Sequence, residues 1–302
     1  MNRRKFIKFN TTALALSCLP LNNIFAESVK PTVWEVSGTS VDSFTALFDA
    51  LGGLNKFIKT DLSKAVILIK PNICLPHLYE SATTTSVNAV SGLCQYLIGA
   101  GAKKIIIADH TLQDSTRFKN IQLYEIPKQY SEVKLILANE RRYYRQAQVN
   151  GKELKETEIM KLVQKADFLI NMPTAKHHSA THVSLAVKNL MGMIWDRPVF
   201  HTTLDLHQAV GDLPLAICPQ LNIVDADRVL LNGGPTGPGK VIHEKRLFAS
   251  SDMLAVDAVV ASRYNFGGKS LPPEQIGHLD AAFKNNVGEI DLNKINNEKI
   301  AF

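Results

Sequence analysis

Between Asp167 and Ile194 the chain reads DFLINMPTAKHHSATHVSLAVKNLMGMI, which gathers Lys176, His177, His178, His182, Lys188 and Asn189 into one short stretch. His201 and His207 follow soon after. Imidazoles accept and donate protons near neutral pH and ligate transition metals, while lysines hold anions or form covalent links to carbonyl groups. His178 and His182 stand four residues apart and could share a helix face, but there is no HExxH and no glutamate nearby, which excludes a zinc-protease site of that type. Lys188 and Asn189 interrupt an apolar run, with Leu185, Ala186 and Val187 before and Leu190 and Met191 after. A lysine there must snorkel, pair, or carry a lowered pKa.

Elements that could position these groups are legible from periodicity. Ala65–Ile69, Lys104–Ala108, Val133–Ala138, Phe168–Met172, Leu221–Val224 and Leu247–Ala249 are short apolar runs of the kind that become buried strands. Helices are predicted at 42–51, 86–98, 157–165, 183–193, 206–216 and 253–264, with Gly99 and Gly101 closing the second. Alternating strands and helices predict an α/β fold, a mainly parallel sheet flanked by helices, with right-handed crossovers. Polar clusters then fall after successive strands: Lys70-Pro71-Asn72, Asp109-His110, Lys176 to His178 on a strand-end loop, Asp225 to Asp227, and Ser250 to Asp252. Ligands of open α/β sheets sit at the carboxyl ends of the strands, so these clusters are expected to form one site.

Residues 1–26 read as a signal peptide, and 27–302 as a single α/β domain. Arg3-Arg4 followed by Phe6-Ile7 and Lys8 matches the twin-arginine export pattern, and the apolar run from Thr11 to Leu21 is too short to span a bilayer. The expected destination is the periplasm or another exported compartment, with the twin-arginine translocation machinery as partner and no stable membrane span after cleavage. The leader carries four basic residues and no acid, so its removal takes the formal charge from +6 to +2. The one basic cluster left, Arg141, Arg142 and Arg145 around Tyr143 and Tyr144, reads as a solvated face, and no nucleic-acid partner is expected. Of four cysteines, Cys18 lies in the leader and no CxxC occurs, which argues against an iron-sulfur cluster or a cysteine-built zinc site. Cys94 lies on an apolar helix face. Gly234 to Lys240 satisfies GxxxxGK, but Val241 replaces the magnesium-binding hydroxyl and two prolines remove amide donors, so a loop closing over a site is the better reading.

These residues resemble the family catalogued as domain of unknown function 362. The likeness rests on Lys70-Pro71-Asn72, Gly101-Ala102-Lys103, Asn171-Met172-Pro173 with Lys176, His178, Lys188 and Asn189, Asp225 with the loop from Gly234 to Gly239, and Ser251-Asp252 with Ala255 and Asp257. Ferredoxin-like cysteine clusters, common in that family, are missing here. A fainter resemblance, to the nickel-pincer lactate racemases, follows the order His110, His178, Lys188, His201, with Val183 to Val187 where those enzymes have a Gly-rich stretch. It implies two histidines exchanging a proton and a lysine-borne, metal-containing cofactor. The combined expectation is a metal- or cofactor-dependent enzyme acting on a small anionic molecule. Its catalytic candidates are His178, His110 and Lys188; its ligand or cofactor contacts are Lys70, Asn72, Lys176, Asn189, Asp225, Gly234, Gly237 and Asp252. A transition metal would fall to His178 and His201. The rival expectation is a non-catalytic binding or accessory protein in an exported redox or metal-handling system.

Overall fold

The computed structural model describes residues 30–112, 118 and 121–301; the leader and Cys18 lie outside them. β1 (Thr32–Ser37) leads to α1 (Val41–Ala50), after which β2 (Ile67–Pro71), α2 (Val87–Gly99), β3 (Ile105–Asp109), α3 (Ile126–Gln129) and β4 (Val133–Leu137) alternate. β5 (Tyr144–Gln148) and β6 (Glu156–Met160) form a separate antiparallel ribbon. β7 (Phe168–Met172), β8 (Thr174–His178) and β9 (His182–Ser184) run into the short helices α4 (Ala186–Asn189), α5 (Pro198–Thr202) and α6 (Leu206–Asp212). The remaining elements are β10 (Leu221–Leu230), β11 (Val241–Ser250), α7 (Met253–Arg263), α8 (Gly277–Lys284) and β12 (Asn296–Ile300).

The main sheet has the order β12-β1-β11-β10-β7-β2-β3-β4, with β8 beside β10 and β9. From β10 to β4 the neighbours are parallel, whereas β11 is antiparallel to both β10 and β1. The α/β architecture with a mainly parallel sheet is therefore present. Its central strands are apolar on both faces because each face carries a core. Leu68, Ile106 and Leu169 join one core with α6, α7 and α8; Ile67, Ile69, Ile105, Ile107, Phe168 and Ile170 join the other with α1 and α2. Successive residues of a strand point to opposite faces, so a single run feeds both layers.

Caps set the helix boundaries. Ser86 accepts from Ala89 N–H at 3.4 Å to start α2, and past its carboxyl end Gly101 takes φ +109°, a conformation that a side chain resists.

Three sequence expectations are corrected. Residues 157–165 are the end of β6 and a 3₁₀ turn, because Glu156–Met160 alternates in burial and pairs with β5. Residues 183–193 are broken into strand, one helical turn and a 3₁₀ turn: Leu185 is non-helical and the Asp257 carboxylate accepts Ala186 N–H at 2.7 Å and Val187 N–H at 2.9 Å, fixing the start of α4. The segment after Pro173 is the strand β8 rather than a loop, extending the line of β7 along β10 and turning back through β9.

Candidate functional site

A cleft of ≈ 710 Å³ opens beyond the carboxyl ends of β2 and β3 and against β8. Its lining includes Lys70, Asn72, Asp109, His110, Lys176, His178, Lys188, Asn189 and His201. The expected convergence thus holds for the clusters after β2, β3 and β7, and it fails elsewhere. Ser250 to Asp252 follow β11, which runs antiparallel, so they lie at the opposite edge, where Asp252 caps α7 through Leu254 N–H and Ala255 N–H. Asp225, read as a ligand contact, is buried inside β10 and accepts Ser86 N–H at 2.6 Å and Asp227 N–H at 3.0 Å; burial pushes its carboxyl up to about 7. Gly234 sits against the strand: its N–H donates to His177 Nδ1 at 3.1 Å, and a Cβ there would lie 1.8 Å from the His177 carbonyl oxygen. Gly237 is likewise off the lining, with Thr83 its nearest neighbour for a Cβ, and the loop instead delivers Pro235 to the cleft wall.

At the floor, Lys70 and Asp109 form a buried ion pair at 2.9 Å, each side chain 1% exposed. The same carboxylate accepts His110 N–H at 2.8 Å and Ile73 N–H at 2.6 Å, joining the ends of β2 and β3. Gly192 packs directly on this pair; a Cβ would stand 2.0 Å from Asp109 Oδ1 and 2.7 Å from Lys70 Nζ, so no larger residue fits. Asn189 is the hub beside it. Its carbonyl oxygen accepts from Lys70 Nζ at 3.1 Å and Asn72 Nδ2 at 3.0 Å, and its amide donates to Asn171 Oδ1 at 2.8 Å. Lys70, Asn72 and Asn189 are therefore tied to one another, which orders the floor before any ligand arrives.

Three cations of the cleft have no carboxylate within ion-pair distance among the described residues. Lys176 donates to Thr83 O at 2.6 Å and Asn72 Oδ1 at 3.1 Å, and Arg197 to the carbonyls of His110 and Thr111 at 2.9 and 2.7 Å. Lys188 does worse: among the described residues the one hydrogen bond of its ammonium goes to the Met191 thioether sulfur at 2.8 Å. Burial holds its ammonium down to about 8 from an ordinary 10.5. An accumulation of positive charge in a partly closed site attracts an anion.

The histidines separate into two sets. Along β8, Lys176 and His178 face this cleft while His177 faces a second, shallower one of ≈ 470 Å³ with His182 and His207, as strand alternation requires. His182 opposes His178 in register, but φ +66° accompanies its ring lying edge-on to His177 at 6.5 Å. In the main cleft, His110 Nδ1 lies 2.9 Å from the Ile194 carbonyl, an acceptor only, so the neutral ring carries its proton on Nδ1 and leaves the Nε2 lone pair free. Trp195 stacks on that ring at 5.2 Å and 3°. His178 is the reverse: its Nδ1 accepts Ala180 N–H at 3.2 Å, placing the proton on Nε2. Burial, then Lys188, pushes His178 down to about 3; burial, then Arg197, lowers His110. Both imidazoles are neutral at pH 7, and they hold opposite tautomers.

His201 lines the cleft too, lowered by burial and by Lys188. Among the described residues no three His, Cys, Asp or Glu side chains converge on a point that could hold a metal ion. His178 and His201 supply two imidazoles at most. Arg197, Trp195 and Cys74 also line the cleft and are not among the candidates the sequence offers. Nor is His278 among them, fully buried on α8 with neither ring nitrogen bonded among the described residues. Cys74 stands two residues past Asn72, which was a usable signal; Arg197 comes from an irregular turn with none.

Residues 67–262 match the family described as Domain of unknown function (DUF362). The chain belongs to that family. It is 22% identical over 243 residues to the thylakoid-associated protein sll1697 of Synechocystis, an alignment taking in 78% of this chain and 73% of that protein. Among solved structures it is similar to the lactate racemase apoprotein from Thermoanaerobacterium thermosaccharolyticum, with a TM-score of 0.41 and 13% identity, covering 80% of this chain and 60% of that one. At that level the two courses share too little for one protein's activity to speak for the other's.

Proposed function

We propose that this member of the DUF362 family is an exported, cofactor-assisted enzyme that binds a small anion in the main cleft and moves a proton on it. The observation that supports the reading is the pair His110 and His178: two neutral imidazoles in one cleft, one with a free lone pair and the other with a free N–H, so that one can take a proton and the other give it. Lys176, Lys188 and Arg197 supply the charge that would hold the anion. Racemisation of a 2-hydroxy carboxylate is one reaction of this class. Lys188, whose ammonium lacks an oxygen acceptor among the described residues, fits an anionic or carbonyl-bearing cofactor, which would take up the charge left at the substrate carbon when bound. A transition metal fits only if it brings ligands of its own to His178 and His201.

Incubating protein purified from its native exporter with a panel of 2-hydroxy carboxylates in D₂O tests this. Proton NMR should show loss of the C2–H signal, and His178→Gln should abolish it. Ligand-induced thermal stabilisation without exchange would favour the non-catalytic binding protein instead.

Two further outcomes follow from the same reading. His178→Ala and His201→Ala should each weaken metal retention by about 10-fold or more, while His243→Ala, on β11 away from the cleft, should not. Equal metal content after dialysis in all three would remove the metal from the account. For export, the paired guanidinium groups are what the twin-arginine machinery reads, so Arg3→Lys with Arg4→Lys should retain the precursor in the cytoplasm. Unchanged delivery would point to general secretion.

A further inference from the structure

Cys74 is a cleft residue that proton transfer leaves without a task. Its backbone is pinned, the carbonyl accepting Leu112 N–H at 2.9 Å, and its side chain is half-buried. Sγ lies 3.4 Å from Asn72 Oδ1 and 3.8 Å from Lys176 Nζ. Lys70, Lys188 and Arg197 are all within electrostatic reach of it. The thiol therefore has an oxygen to donate to, and the thiolate has cations beside it; the thiolate is the form that reacts. Cys94 gives the contrast within the same chain: it is buried among apolar side chains of α2, and burial pushes its thiol up to about 12.

A second observation points to a ligand at this place. Lys188 is 8% exposed, lines the same cleft, and among the described residues its ammonium has only a thioether for company. A buried cation without an oxygen acceptor costs several kcal/mol, roughly, unless an anion joins it. The anion that answers Lys188 is thereby drawn into the cleft wall that Cys74 shares.

We propose that Cys74 is a nucleophile that captures small carboxylates bearing an electrophilic carbonyl carbon, with Lys176 and Lys188 steering the carboxylate. The inference rests on the anion-binding reading of the cleft. In the step, a sulfur lone pair forms an S–C bond as the carbonyl π pair moves onto oxygen, and that oxygen gains the proton the thiol gives up. No oxidant or reductant enters, and the adduct reverses by the same path.

Iodoacetate is the probe, because it carries a carboxylate and an electrophilic carbon in one small ion; iodoacetamide is its neutral counterpart. Alkylation of the folded full chain is followed by peptide mass spectrometry, with the iodoacetate-to-iodoacetamide rate ratio at Cys74 normalised to that of free cysteine. The ratio should exceed that of free cysteine by 10-fold or more, fall towards it in Lys176→Met and Lys188→Met, and leave Cys94 unlabelled. A ratio equal to that of free cysteine, or an unreactive Cys74, overturns the proposal. Deuterium exchange reads the proton-transfer proposal separately, so a flat ratio beside active exchange overturns the role of Cys74 alone.

Discussion

Lys70→Met should lower unfolding free energy by about 3–5 kcal/mol, the usual cost of removing one partner of a buried ion pair. The lysine is the only cation within ion-pair distance of Asp109 among the described residues, at 2.9 Å, and both side chains are 1% exposed. Methionine keeps the stem but leaves the carboxylate without its counter-charge. The same carboxylate accepts the Ile73 and His110 amides that tie β2 to β3 and orient the imidazole, so the floor depends on it beyond the ion pair. Chemical denaturation of parent and variant at pH 7 measures the loss; less than about 1 kcal/mol would show that the pair contributes little to the floor of the site.

The same substitution at Lys188 should do the opposite. No carboxylate is orphaned among the described residues, where its ammonium bonds to the Met191 sulfur. Its ammonium is held down to about 8 from 10.5 by burial, so the folded chain binds that proton more weakly than the unfolded chain does. Below pH 8 this costs on the order of 3 kcal/mol, and the cost fades as the pH rises from 8 to 10.5, where the folded state has already released the proton and the unfolded state still holds it. Lys188→Met should therefore melt at or above the parent temperature at pH 7, with the difference shrinking towards pH 10.5. It should at the same time lose stabilisation by small carboxylates, because the cleft gives up its least satisfied cation. Stabilisation by carboxylate retained in the variant would sink the functional assignment, and a large fall in melting temperature would mean a structural ion pair instead.

That two buried lysines should behave so differently was only half legible in the sequence. The apolar neighbours of Lys188 announced that its charge needs a reason, and Lys70 at the end of an apolar strand marked a site edge. Their partners come from Asp109 and Met191, and only the register of β2 on β3 and the 3₁₀ turn after α4 bring these into place. The apolar runs gave away β2, β3 and β7 because a strand buried on both faces has no polar phase to confuse. Strands with mixed composition, such as β6 and β8, were read as helix and loop, since Glu156–Met160 and Thr174–His178 take their conformation from pairing rather than from a hydrophobic pattern. The misplaced Asp252 has one cause: strand direction cannot be read from a strand's own residues, and β11 runs against its neighbours. The tautomers of His110 and His178 depend on the Ile194 carbonyl and the Ala180 amide, contacts that spacing does not encode.

Those tautomers decide which ring can take a proton and which can give one. Long-range ¹⁵N–¹H correlation spectra of histidine-labelled protein at pH 7, assigned with His110→Gln and His178→Gln, read the protonated nitrogen of each ring directly. The predicted result is two neutral rings at pH 7, His110 protonated on Nδ1 and His178 on Nε2, with His178 staying neutral as the pH is lowered to 5. Matching tautomers, or a charged ring at pH 7, would contradict the division of proton acceptor and proton donor on which the proposed chemistry stands.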